Sequence, residues 1–150
     1  MNSRGKAENI DVSIKKFFID HIETPEGILL SFDPAFVDPD LWDYSVTEWI
    51  VIDINDAMLK PLCSGTVSVI CATRQDDEQV RLAQIAGMVC GCIMETDGSY
   101  INIPMYEAGF PPVAIPESYL VVSRLGLSGK MDSRDGTNYR IVSFAVKWVL

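Results

Sequence analysis

A single histidine in 150 residues removes most routes to catalysis. Nucleophilic and acid–base mechanisms lean on histidine, whose proton exchanges near neutral pH. His21 falls on the apolar stripe of a helical pattern, the place of a packed or boundary residue. No Gly-x-Ser-x-Gly, no phosphate-binding Gly-x-x-x-x-Gly-Lys and no Gly-x-Gly-x-x-Gly occurs, so no catalytic residue is assigned and no cofactor is expected. The four cysteines (Cys63, Cys71, Cys90 and Cys92) include no Cys-x-x-Cys pair, which argues against zinc and leaves buried reduced thiols as the expectation. No run of about 18 apolar residues exists to make a transmembrane helix. Met1–Lys6 lacks the apolar core of a signal peptide, so the protein is expected to stay where it is made, in the cytoplasm. Between Phe17 and Leu59 there is no lysine or arginine, and the net charge is −9. Ordinary nucleic-acid binding needs a positive footprint and is disfavoured.

The residues that are present describe one domain. Hydrophobic residues make up 48% and charged residues 22%, enough apolar material for a core at this length. Residues 1–8 read as a polar arm and 9–150 as a single α+β domain. A helix is predicted over Asn9–Ile22, ended by Thr24-Pro25-Glu26-Gly27. Strands are predicted over Ile28–Phe32, Thr47–Ile54, Thr66–Thr73, Tyr100–Tyr106 and Tyr119–Leu125. Ala108–Pro116, with three prolines, is expected to be irregular. A second helix is predicted from Asp76, capped by Asp76-Asp77-Glu78, to about Met94, with Ala83, Gly87 and Gly91 lined up for close packing on a sheet. The last strand alternates Val142, Phe144, Val146, Trp148 and Leu150 on one face. Its other face is only half polar and is expected to be covered as well. The fold class is therefore a mixed or antiparallel β-sheet with two main helices packed on it and a long C-terminal hairpin.

Charge is unevenly spread. Ten acids and no bases lie between Phe17 and Leu59, whereas Tyr119–Leu150 carries five bases against two acids. Such a split suits head-to-tail contacts between copies. The loop Asp33–Tyr44 holds Asp33, Asp38, Asp40 and Asp43 with two Asp-Pro steps. Its spacing is not that of a calcium-binding loop, so no metal site is assigned. Its Phe36, Leu41, Trp42 and Tyr44 are too apolar for a purely solvated loop. Candidate contact residues are Asp38, Asp40, Trp42, Asp43, Arg74, Lys130, Met131, Arg134, Arg140 and Lys147, with Arg74 a possible partner for the acidic loop of a neighbouring copy.

A helix, then strands, then Thr73-Arg-Gln-Asp-Asp77 opening a second helix, then a hairpin with an Asp135-Gly136 turn and a closing strand ending Lys147-Trp-Val-Leu150 form an order of elements that resembles the tail terminator proteins of long-tailed bacteriophages. The resemblance covers roughly Glu8–Leu150 and is one of pattern and length. It implies a homohexameric ring at the head-proximal end of the tail tube, in contact with tail tube protein and with the head–tail connector or stopper. Genomic DNA would pass through the lumen without sequence-specific binding. The implied place is the virion, with no membrane partner and no catalytic residues. Alternatives are another neck, head-completion or minor tail protein, a small metal-dependent enzyme built on the acidic loop 33–43, or an adaptor domain with no assembly role.

Overall fold

The computed structural model describes residues 7–57, 62–132 and 136–149. Helix α1 (Ala7–Phe18) begins ahead of the expected Asn9, and the rest of the expected arm lies outside the described residues. Ile10, Ile14, Phe17 and Phe18 are buried along the stripe that their spacing predicts. Pro25 does not end the helix. A π-helical turn (Ile19–Glu23) runs into α2 (Thr24–Glu26), and the helical path stops only at Gly27, whose φ is +69°. In an α-helix the proline ring would clash with the carbonyl four residues back. Here Thr24 N–H bonds Ile19 across a wider turn, and the His21 carbonyl accepts instead from Cys92 Sγ at 3.9 Å. The same turn displaces His21 from the buried stripe. It is exposed and stacked on Phe17 with ring centres 4.2 Å apart, and Ile22 takes the buried place.

Seven strands form one sheet: β1 (Leu29–Ser31), β2 (Glu48–Ala57), β3 (Leu62–Thr73), β4 (Asn102–Glu107), β5 (Val113–Leu127), β6 (Met131–Asp132) and β7 (Asn138–Val149). Their order is β1-β2-β3-β7-β5-β4, with β6 also on β7. Among the described residues only β1 and β2 pair in parallel. The fold is thus the expected α+β class, with the sheet curled into a half-barrel and the long β5–β7 hairpin in place. Strand β5 starts inside the stretch expected to be irregular. Its register against β4 shifts so that Ile115–Ser118 drop out of the ladder, and Pro116 sits where no amide has to be donated. The edge strand β4 is covered by α1: Ser13 Oγ accepts from Tyr106 N at 2.8 Å and Asn9 Oδ1 from Ala108 N at 2.9 Å. These two buried polar side chains blunt an edge that would otherwise invite pairing.

Helix α3 (Val80–Ile93) starts later than Asp76, because Gln79 turns left-handed at φ +58°. Asp76 still caps it from a distance: its carboxylate accepts from Leu82 N at 3.0 Å, Arg81 N at 3.3 Å and Thr73 Oγ1 at 3.1 Å. Burial pushes this carboxyl up, but those bonds together outweigh it and hold it below its ordinary value. A carboxyl held low in the folded state stabilises fully above its unfolded range and loses that contribution as pH falls. Asp76→Ala should therefore cost about 1–2 kcal/mol in urea unfolding at pH 7. The gap to the natural chain should narrow below about pH 4.

Leu82, Ile85, Ala86, Val89 and Ile93 pack on the inner sheet face with Val67, Val69, Val142, Phe144, Val146 and Trp148. Ala83, Gly87 and Gly91, expected against the sheet, are exposed, and a Cβ on either glycine would meet nothing within 4 Å. The bulky side chains on the opposite arc occupy the inner face, which turns the small strip to solvent. Cys71 is buried, and burial raises its thiol to about 12. Cys90 and Cys92 are half-buried free thiols.

Candidate functional site

The outer face of the sheet is divided. One end carries a second, smaller core of Trp49, Val51 and Ala72, roofed by Phe36, Val37 and Trp42 of the acidic loop and by Val46 just after it. The two Asp-Pro steps make this roof rigid. Asp33 Oδ1 accepts from Ala35 N at 3.0 Å and Asp38 Oδ1 from Asp40 N at 2.9 Å, and each bond caps a short 3-10 turn (Pro34–Val37 and Pro39–Leu41). Asp43 accepts from Ser45 N at 2.9 Å and Ser45 Oγ at 2.7 Å. Those bonds, with a smaller pull from Arg74, hold its carboxyl below the usual range. Each of these carboxylates is thus turned to its own backbone. Among the described residues no three His, Cys, Asp or Glu side chains converge as a metal site would require.

Arg74 fastens the roof. Its Nε donates to Val46 O at 2.7 Å, Nη1 to Pro39 O at 3.3 Å and Nη2 to Asp43 O. The guanidinium lies over Tyr44 at 5.1 Å and Trp49 at 5.3 Å. It therefore holds the acidic loop of its own chain, through carbonyls and not carboxylates. Asp38, Asp40 and Asp43 stay exposed, together with Leu41 and Tyr44, the latter 76% accessible. Trp42 is half-buried, its Nε1 donating to Phe36 O at 2.7 Å.

The other candidates lie elsewhere. Lys130 and Met131 are exposed at the base of the β5–β7 connection. Arg140 is half-buried and donates to Ser128 O at 3.0 Å. Arg134 lies outside the described residues. Lys147 is exposed at the far end of the outer face, in a groove of about 420 Å³ shared with Asn55, Ser64, Thr66, Arg124 and Ala145. From Ala72 under the roof to Ser64 in the groove is eight residues of β3, about 26 Å at roughly 3.3 Å per residue.

Arg124 and the hydroxyl-lined trough escaped the sequence reading. The signal was there: the outward sets Ser64, Thr66, Ser68 and Ser143, Ala145, Lys147 are small or polar. They mark an unroofed face beside strands whose other set is apolar.

These elements define an α+β domain of one curled mixed sheet with two principal helices. No protein-family model and no curated protein sequence matches the chain. Several solved chains match this one. One is similar over 97% of this chain and 96% of its own, with a TM-score of 0.66 and 10% identical residues. That likeness establishes a shared fold and nothing about function.

Proposed function

We propose that this chain is a structural virion subunit, a tail terminator that forms a ring at the head-proximal end of a phage tail tube. The ring ends tube polymerisation and joins the tail to the head connector, and DNA passes through its lumen. One observation carries the reading: large apolar side chains stand in the open along β5 and the loop before it. Phe110 is fully exposed, and Val113, Tyr119 and Val121 are each more than half exposed. Several large apolar side chains left open along one strand of a folded domain suit a contact with another chain. Burying aromatic anchors of this kind supplies much of an interface's affinity. The acidic balance of the chain (−9) suits a channel that phosphates slide through without adhering.

The test is assembly. Light scattering should give about six times the subunit mass, or negative-stain images should show rings with a central hole, alone or on purified tail tubes. Phe110→Asp should abolish those particles and leave the urea midpoint unchanged, because the side chain touches no core. A chain that stays monomeric at high concentration and leaves tube ends bare overturns the reading.

A further inference from the structure

We propose that the unroofed half of the outer sheet face is the socket for the acidic loop of a second copy of this chain. The proposal rests on the ring reading and assigns its subunit contact. The socket is a trough of small side chains across four strands: Ser123, Ala145, Thr66 and Asn55 stand in one row, as the strand registers place them. Lys147 stands in the next row, between Val121 and Ser64. Small side chains let another backbone approach closely. Arg124 joins the trough from a break in the β5–β7 register, at φ +57°.

The charge is complementary. The ion pairs among the described residues are Lys16–Asp20 and Arg81–Glu48, so within that set neither Arg124 nor Lys147 is held by a carboxylate. One carboxylate, Asp53, shares this face, paired with Ser68 one step nearer the roof. Against these two cations the loop presents Asp38, Asp40 and Asp43, with Leu41 and Tyr44 exposed beside them. Val121, opposite Lys147 in the strand register, and Tyr119, two residues earlier on β5, are 51% and 53% accessible and offer those two side chains apolar surface. The loop's 3-10 turns and the Arg74 bracket set its shape in advance, so little ordering is needed on docking. Socket and loop are different patches, and a copy that uses its loop on one neighbour keeps its socket for another. That is the heterologous contact from which a closed ring is made.

Two charge-reversed proteins test this: Arg124→Glu with Lys147→Glu, and Asp40→Lys, which leaves the capping carboxylates of Asp38 and Asp43 in place. Each alone should weaken self-association at least tenfold in light scattering at low salt, with an unchanged unfolding midpoint. An equimolar mixture should recover association, because the acidic loop of one variant then meets the basic socket of the other and the reversed loop meets the reversed socket. Should a reversed protein unfold, Arg124→Gln with Lys147→Gln should still lower the salt dependence of assembly. Rings that tolerate both reversals overturn the socket and leave the ring reading standing. A reciprocal pair that stops at two subunits, yet is lost on reversal, keeps the socket and overturns the ring. Duplex DNA binding lost in Lys147→Glu with assembly intact would give the groove to nucleic acid and overturn the socket. A natural chain that never associates, even on tail tubes, overturns both.

Discussion

Replacing Trp148 by alanine should lower the unfolding free energy by about 3–5 kcal/mol, the cost of deleting a large buried aromatic and leaving a cavity. The side chain is 2% exposed and lies on the inner face of β7. That strand is central, laddered to β3 on one side and β5 on the other, so no edge is free to collapse into the gap. Val146 and Phe144 pack in the same cluster. Among the described residues Trp148 Nε1 meets no acceptor, and Trp148→Phe, which keeps a buried aromatic ring, should cost much less than the alanine. Urea denaturation of both variants decides it. A loss under about 1 kcal/mol for Trp148→Ala would mean that this end of the sheet is not packed as described.

The same strand shows how much the sequence could tell. Val142, Phe144, Val146 and Trp148 are buried as their period-2 spacing predicts, because alternation reports directly on one face. The opposite set was expected to be covered. In the subunit Ile141, Ser143 and Ala145 are half-buried and Lys147 is exposed, since the acidic loop roofs only the other end. Alternation identifies a face; it does not locate what lies above it. The late start of α3 was hidden for a related reason. Asp76 reads as an ordinary cap, yet it bonds amides five and six residues ahead, a reach set by the left-handed Gln79. Pro25 within the helical path and Pro116 within a strand were misread because local rules assume regular bonding. A π-turn and a register shift removed the amide that each proline lacks. Of the proposed contact surface, the acidic loop and Lys147 were legible as charge. Their separation across one face, and the part of Arg124, came only with the strand registers.

Arg74→Lys should behave almost as badly as Arg74→Ala, although it keeps the charge. The guanidinium is a planar fork that reaches three carbonyls, of Val46, Pro39 and Asp43, from one position. Its flat surface also lies over Tyr44 and Trp49. Lysine offers one compact ammonium, which cannot bridge that triangle or stack in the same way. Hydrogen bonds with a charged donor contribute about 1.5–3 kcal/mol each when shielded, and this site is half open. The expected loss is thus about 2–3 kcal/mol in total, below that of Trp148→Ala. The location of the damage is the sharper result. In hydrogen exchange, residues 33–46 should lose protection in both variants while β3 and β7 keep theirs, because the inner core of Val67, Phe144 and Ile85 does not touch the bracket. Protection retained in Arg74→Lys would show that charge alone holds the roof. If the loop is the element that docks on a neighbouring copy, loosening it raises the ordering cost of docking. Assembly should then weaken in Arg74→Lys with Arg124 and Lys147 untouched.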